Sequence, residues 1–418
     1  MDLVIKNGKI INSTQEYYIA IENGKITEIS RQPLNGEKEI DAKGNLILPG
    51  FIDPHVHFRD PGLTYKEDFR TGSESAANGG FTTVIDMPNT VPKTNTYKAF
   101  KEKQEIANEK SIVNFELQAG VNDYDEMRKI IELNPVAFKI FMDLESDESL
   151  ERIFNYLGNL RRETGYNGLV CVHGENQKIV KEKTDVYSRK QEQKAIDYSY
   201  GRPSLAEDVS VRQAIDLAYR NNLKLHICHL SSIKSLDLAR SSGNFCNVSW
   251  EFTPHHLLLN NDAYDIHDTL IKTNPPLRED GQSISIENID ENTIIGTDHA
   301  PHSLEEKQKT PWTSAPGIPN LETVVPLLLT EVNKGNIKLE LIPKILSENA
   351  ANRFGLGSKG SIAVGKDADI TIVDLNETGK IDITNFKTKA EYSPFENYEY
   401  KGNAVATIVN GKVVMNKI

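Results

Sequence analysis

Eight short apolar runs alternate with amphipathic stretches along this chain, and this alternation constrains its fold more than any other feature. The strand-like runs are 48–57, 81–87, 114–119, 136–141, 168–173, 224–230, 247–252 and 293–298. Helical periodicity separates most of them, at 66–78, 97–108, 149–162, 205–221 and 233–241. Strands that alternate with helices form parallel sheets, and eight such units close into a barrel. The sequence therefore predicts an α/β fold, a (β/α)8 TIM-like barrel.

The tripeptide Asn-Gly-Lys occurs three times, at 7–9, 23–25 and 410–412, each time between short Ile/Val-rich runs. Asn-Gly tolerates the positive φ angles of a type I′ turn, so each copy predicts a β-hairpin. Because such turns lie near both termini, we expect the two ends of the chain to build one small discontinuous β-sandwich domain. The predicted boundaries are 1–49 and 356–418 for this domain and 50–355 for the barrel.

Charge and composition exclude several classes of protein. Lys and Arg number 48 against 60 Asp and Glu, a net charge of −12, with no basic aromatic-rich cluster to contact nucleic acid. The start lacks the pattern of a signal peptide, and no apolar run approaches the length of about 18 residues that a membrane span requires. We therefore expect a cytoplasmic protein without a membrane or nucleic-acid partner. Its three cysteines have no Cys-x-x-Cys spacing, which predicts buried core residues rather than disulfides.

Histidines and other polar residues occupy the ends of several predicted strands. His55 and His57 are two apart on the first strand, so their imidazoles share one face and can reach one metal ion. The other polar residues on or at the ends of strands are Lys139, His173, His229 and Asp298. Since the carboxyl ends of barrel strands form the active site, these side chains are expected to converge there.

Four imidazoles and an aspartate exceed the three protein ligands of a single open zinc site. They predict two divalent metal ions about 3.5 to 4 Å apart, with Zn²⁺ favoured and Mn²⁺ or Co²⁺ as substitutes. Two dications need an anion between them, yet the fourth strand offers Lys139. A neutral amine there could capture carbon dioxide as a carbamate that bridges both metals. The alternatives are a lysine paired with a carboxylate, or Asp143 as the bridge.

Four longer strings, together with Lys139, His173 and His229, carry a resemblance to a known family. They are Gly-Phe-Ile-Asp-Pro-His-Val-His-Phe-Arg-Asp-Pro-Gly at 50–62, Asp-Met-Pro-Asn-Thr at 86–90, Lys-Thr-Asn-Pro-Pro-Leu-Arg at 272–278 and Thr-Asp-His-Ala-Pro-His at 297–302. Over essentially its whole length the chain resembles the dihydroorotases of the amidohydrolase superfamily. The resemblance implies that His55, His57 and Asp298 hold one metal ion. It further implies that His173 and His229 hold the other, with carbamylated Lys139 as the bridge.

The residues that contact the substrate are suggested partly by position and partly by the resemblance. Arg59 follows His57 by two residues, and its guanidinium can clamp a carboxylate; a surface salt bridge with Asp60 or Glu67 is the alternative. The resemblance adds Asn89 and His302 on the same carboxylate, Asn274 on the pyrimidine ring, the backbone of Pro316 and Gly317 on its amide edge, and His57 beside the substrate. For Asn89 and Asn274 a turn-stabilising role is the alternative. His226, His255, His256 and His267 receive structural interpretations, and His299 remains open as a neighbour of the ligands.

The implied reaction is the reversible cyclisation of N-carbamoyl-L-aspartate to L-dihydroorotate and water, a step of pyrimidine (UMP) synthesis. A hydroxide between the metals would attack the ring amide, with Asp298 as general base and then general acid. A hydantoinase or allantoinase is the nearest alternative, and a non-catalytic scaffold is the alternative of another class. The expected partner is a small-molecule substrate, and a homodimer is expected from symmetry base rates.

Overall fold

The computed structural model describes residues 1–418, which form two eight-stranded sheets and the α-helices that surround one of them. The strands are β1 (Leu3–Ile10), β2 (Glu16–Glu22), β3 (Lys25–Ser30), β4 (Lys38–Asp41), β5 (Leu46–Pro49), β6 (Phe51–Val56), β7 (Phe81–Asp86), β8 (Asn114–Gly120), β9 (Ala137–Phe141), β10 (Leu169–His173), β11 (Lys224–Ile227), β12 (Val248–Phe252), β13 (Ile294–Ile295), β14 (Ile370–Lys380), β15 (Glu399–Val409) and β16 (Lys412–Asn416).

The helices lie mostly between the strands of the second sheet. They are α1 (Phe69–Asn78), α2 (Tyr97–Lys110), α3 (Tyr124–Ile131), α4 (Asp147–Thr164), α5 (Gln177–Tyr187), α6 (Asp197–Gly201), α7 (Ser204–Arg220), α8 (Ile233–Ser242), α9 (Pro254–Leu258), α10 (Tyr264–His267), α11 (Leu304–Lys307), α12 (Val324–Lys334) and α13 (Asn349–Phe354). None of them combines the length and the apolar character that crossing a membrane requires.

Strands β6 to β13 form the barrel. They pair in sequence order, and every pair is parallel. A parallel bridge between Val56 and His299 closes the sheet, and the His57 N–H donates to the His299 carbonyl at 2.9 Å. A cluster of 57 buried apolar residues fills the space around the strands, with Phe81 and Phe138 fully enclosed. The predicted (β/α)8 barrel is therefore confirmed.

The sheet built from both termini contains β1 to β5 and β14 to β16. It branches at β1, which pairs with β2, β4 and β5, while β5 joins β1 to β14 and so connects the two ends of the chain. A core of 14 buried apolar residues belongs to this sheet. The prediction of a small β domain assembled from both termini is confirmed.

Three local features differ from the sequence-based prediction. The run predicted as one strand at 48–57 is split at Gly50, where the chain passes from the terminal sheet into the barrel; a Cβ there would lie 2.2 Å from Thr82 Oγ1. Asn7 does not form a hairpin turn: it has φ +55° within β1, beside a register shift, because Asn also tolerates the positive φ of a bulge. Helix α1 begins at Phe69 rather than at 66, since Asp68 caps it by accepting the N–H groups of Arg70 and Thr71.

Candidate active site

A cavity of about 470 Å³ lies at the carboxyl ends of the barrel strands. It is lined by every residue that the sequence singled out for metal binding, catalysis or substrate contact: His55, His57, Arg59, Asn89, Lys139, His173, His229, Asn274, Asp298, His302, Pro316 and Gly317. These residues come from distant parts of the chain, and the barrel brings them together because all its strands run in one direction.

One group of ligand atoms is formed by His55, His57 and Asp298. Oδ1 of Asp298 lies 3.0 Å from His57 Nε2 and 3.3 Å from His55 Nε2, and all three side chains are buried. The opposite ring nitrogens are engaged: His57 Nδ1 donates to Asn89 Oδ1 at 2.7 Å, and His55 Nδ1 pairs with Glu251. These partners fix the tautomers, so both Nε2 lone pairs face the aspartate.

A second group is formed by His173 and His229. Nδ1 of His173 lies 3.0 Å from Nε2 of His229, while His173 Nε2 donates to Glu175 at 2.9 Å. Nδ1 of His229 is buried and has no hydrogen-bond partner. The glutamate fixes the proton of His173 on Nε2, so its Nδ1 presents a lone pair to His229. A cation between Nδ1 of His173 and Nε2 of His229 would satisfy both nitrogens.

Lys139 stands on β9 beside both groups. Its side chain is 1 % exposed, and Nζ has no hydrogen-bond partner and no carboxylate within ion-pair distance. Asp143, the alternative bridge, is held at 2.7 Å by Arg202 and approaches only Nε2 of His173, the nitrogen that faces away from His229. A buried amine without a hydrogen-bond acceptor is strongly disfavoured. Conversion of the Lys139 amine to an acidic group, such as a carbamate, would remove this unpaired ammonium.

The charge states of these residues suit metal ions. Burial lowers the pKa of His57 to about 4, and the pKa of His229 also falls well below its ordinary value, so both rings are neutral at pH 7. Burial by itself would raise the pKa of Asp298, but the adjacent His55 and His57 outweigh it and hold the pKa below its usual range. Neutral imidazoles and an ionised carboxylate are the forms that bind divalent metals. The residues therefore fit two such ions.

Three of the site residues have left-handed backbone conformations that are uncommon outside glycine. The φ angles are +61° at Arg59, +36° at His229 and +47° at Asp298. Strain of this kind is tolerated where it positions functional groups. The left-handed conformation also explains why the alternation of side chains along a strand does not predict the position of Arg59. Strand β6 ends at Val56, and the turn that follows carries the guanidinium to the cavity.

Arg59 is 7 % exposed and contacts no carboxylate. The alternative surface salt bridge is wrong, because Asp60 pairs with Lys110 at 2.8 Å and Glu67 contacts His299 at 3.3 Å. Nε of Arg59 has no partner at all. A desolvated guanidinium that contacts no carboxylate can bind an anion from outside the protein.

Two further predicted contacts have internal partners. Asn274 accepts a hydrogen bond on Oδ1 from Tyr198 at 2.7 Å, which leaves its Nδ2 free. The Gly317 N–H donates to the Lys272 carbonyl at 2.8 Å, and the Gly317 carbonyl accepts from Lys307 Nζ at 2.9 Å. Both backbone groups of Gly317 are thus engaged within the protein, so in this conformation they hold the segment in place rather than present free groups.

Sequence reasoning missed Glu175 and Glu251, two fully buried carboxylates that contact His173 and His55. Glu251 also accepts from His226 Nε2 at 2.9 Å and from the His229 N–H at 3.0 Å. A glutamate in the middle of the apolar run 247–252 is the signal that could have found it.

His299 is not a neighbour of the ligands through its ring, which accepts the Asn320 N–H at 3.2 Å. The remaining histidines, His226, His255, His256 and His267, lie outside the two ligand groups.

The fold and the site define a metal-dependent hydrolase of the amidohydrolase class, and the comparisons agree. Residues 46–414 match the Amidohydrolase family, whose members use divalent metal ions. The chain is 46 % identical over 419 residues to the dihydroorotase of Methanosphaera stadtmanae, covering 99 % of this chain and 96 % of that protein. It is 47 % identical over 397 residues to the dihydroorotase of Methanothermobacter thermautotrophicus, covering 95 % and 90 %. The chain therefore belongs to the amidohydrolase family, among its dihydroorotases.

Solved structures of related enzymes share the whole architecture. An L-hydantoinase (dihydropyrimidinase) from Arthrobacter aurescens superimposes with a TM-score of 0.92 at 31 % identity, covering 100 % of this chain and 96 % of that one. A dihydropyrimidinase from Brevibacillus agri gives a TM-score of 0.90 at 26 % identity, covering 100 % and 95 %. These neighbours share the fold of this chain.

Proposed function

We propose that this protein is a dihydroorotase that interconverts N-carbamoyl-L-aspartate and L-dihydroorotate in pyrimidine synthesis. The observation that carries the proposal is the guanidinium of Arg59, which is buried at the cavity and has no carboxylate partner. L-Dihydroorotate carries a carboxylate beside its cyclic amide, and a bidentate arginine pair is a strong, geometrically specific way to bind one.

The metal centre of this proposal uses the two ligand groups of the cavity. His55, His57 and Asp298 would hold one ion and His173 and His229 the other, with Lys139 as a carbamate between them. Zn²⁺ suits the imidazole ligands best. When bound, the pair would make a water molecule acidic enough to attack an amide carbonyl at neutral pH and would polarise that carbonyl.

The remaining chemistry is assigned to side chains of this chain. Asp298 accepts the proton of the attacking water as the new C–O bond forms, and then delivers it to the ring nitrogen as the C–N bond breaks. Arg59 and His302 hold the substrate carboxylate, with Asn89 beside them. Asn274 directs its free Nδ2 to the ring. In the synthetic direction the same groups act in reverse order.

Arg59 also separates this function from that of the hydantoinases, whose fold the chain shares. A hydantoin with an apolar substituent offers no carboxylate, so Arg59 would stay desolvated and unpaired in the complex. The scaffold alternative receives no support, because a scaffold has no need of a complete set of buried ligands. For the assembly we propose a homodimer, on grounds of symmetry alone.

The direct test is turnover by the purified, zinc-supplemented enzyme of L-dihydroorotate, hydantoin, dihydrouracil and allantoin under identical conditions. We expect hydrolysis of L-dihydroorotate, with the uncharged rings far slower. A preference for an uncharged ring would move the enzyme to the hydantoinases. No turnover of any ring at full metal content would support the scaffold.

A further inference from the structure

Lys66 lies in the loop between β6 and α1 and contacts His302, which lines the cavity. Its side chain is 10 % exposed, and Nζ lies 3.2 Å from His302 Nδ1 and 2.8 Å from Glu306 Oε1. Neither the ligand groups nor the proposed chemistry uses this lysine. An ammonium has three donors and no acceptor, so a short contact with an imidazole nitrogen requires a lone pair on that nitrogen.

The surroundings of His302 distinguish its two neutral tautomers. Nε2 lies 3.0 Å from the Pro316 carbonyl and 3.1 Å from Arg59 Nη2. With the proton on Nε2, the ring donates to Pro316 and accepts from Lys66. With the proton on Nδ1, it would accept only from Arg59, face the Lys66 donor with its own hydrogen and leave the Pro316 carbonyl without this partner. The first tautomer satisfies more groups.

The ring of His302 is also neutral. Burial and the nearby cations of Arg59 and Lys66 lower its pKa below the ordinary value. With the proton on Nε2, this nitrogen and the Nη2 of Arg59 are two donors only 3.1 Å apart. Two donors that face each other leave a place for an acceptor with several lone pairs, such as a carboxylate.

We propose that Lys66 is a positioning residue that keeps the proton of His302 on Nε2, so that this N–H, which meets the Pro316 carbonyl, can be shared with a carboxylate that Arg59 also binds. The role in substrate binding rests on the proposed function, whereas the tautomer does not. Without Lys66, a protonated Nδ1 can donate to the carboxylate of Glu306, whose Oε2 lies 3.7 Å away. The donor at Nε2 would then be lost.

The test combines ¹⁵N-histidine NMR of the zinc-loaded enzyme with steady-state kinetics on L-dihydroorotate. A His302→Gln variant identifies the signals of His302. In the wild type we expect Nδ1 to be unprotonated and Nε2 protonated. In Lys66→Met we expect a protonated Nδ1 and a KM about tenfold higher with kcat nearly unchanged, because a charge-assisted hydrogen bond to the substrate is lost. Lys66→Arg keeps the donor and should retain the wild-type behaviour.

Lys389→Met is the matched control, because Lys389 Nζ donates to the Thr64 carbonyl at 2.6 Å in the same loop but does not contact His302. It should change neither the tautomer nor KM. The proposal is overturned if Lys66→Met leaves the tautomer unchanged, or if Lys389→Met changes it equally. A tautomer that shifts as expected in an enzyme that does not hydrolyse L-dihydroorotate would refute the proposed function and support the assignment to Lys66.

Discussion

Oδ1 of Asp298 lies 3.0 Å from Nε2 of His57 in the cavity at the carboxyl ends of the barrel strands. In the proposed mechanism this carboxylate both holds a metal ion and transfers a proton. Asp298→Asn keeps the shape and removes the basic oxygen. We expect kcat to fall about 10³-fold, within the range of general acid–base contributions. Turnover measured alongside thermal melting and metal content tests this; full activity with normal metal content would refute the role.

Lys139 leads to a prediction about metal removal. Chelation should abolish turnover, and Zn²⁺ with bicarbonate should restore it more fully than Zn²⁺ in buffer free of carbon dioxide, because the proposed carbamate would have to form again. Native mass spectrometry of the restored enzyme should show one added carbon dioxide, and Lys139→Met should show none. Equal recovery with and without bicarbonate, together with an unmodified mass, would remove the carbamate from the account.

Glu251 holds the ring of His55 and is itself held by His226 at 2.9 Å. Glu251→Gln would loosen the orientation of His55 and reverse the hydrogen bond that fixes its tautomer. We expect zinc affinity to fall about 10- to 100-fold, as is typical when a carboxylate behind a ligand histidine is lost. Competition with a fluorescent chelator gives the affinity. Glu331→Gln, on α12, is the matched control and should bind zinc normally.

The terminal sheet contributes a pH-dependent term to stability through Asp367. Partial burial opposes ionisation, but hydrogen bonds from Lys25 and Ser358 outweigh it and lower the pKa of Asp367 from 3.8 to about 2. Because the folded-state pKa is the lower one, the stabilisation is complete above about pH 4 and is lost as the pH falls toward 2. Asp367→Asn should lower the free energy of unfolding by about 1 kcal/mol at pH 7, after allowance for solvent screening.

Urea unfolding at pH 7 and pH 3 checks this prediction. The difference between wild type and Asp367→Asn should shrink at the lower pH. The exposed Asp185 on α5 provides the control, since Asp185→Asn should have little effect at either pH. A difference that stays constant between pH 7 and pH 3 would contradict the assignment to Asp367.

The barrel and most of the cavity could be predicted from the sequence. Strand and helix periods alternate regularly, and parallel strands bring their carboxyl ends to one edge, so His55, His173 and His229 converge without any further information. The same logic found Asp298, although β13 has only two residues, Ile294–Ile295, and supplies little pattern of its own.

Other parts of the site depend on contacts that sequence periodicity does not encode. Glu251 looks like an ordinary strand residue until the barrel places it behind His55. Tyr392 comes from the C-terminal part of the chain and donates to the Gly317 carbonyl at 2.9 Å. The two residues are 75 positions apart in the sequence. Asn7 illustrates a local ambiguity, because the same Asn-Gly pair suits a hairpin turn and a bulge.

The central claim is that buried Arg59 selects a substrate with a carboxylate, and one ratio tests it most directly. We would measure kcat/KM for L-dihydroorotate and for dihydrouracil, the same ring without the carboxylate, in the wild type and in Arg59→Met. Loss of a bidentate charge-assisted pair should lower kcat/KM for L-dihydroorotate roughly 100-fold or more, while that for dihydrouracil is unchanged or higher. An equal fall for both substrates, or no fall for either, would contradict the account.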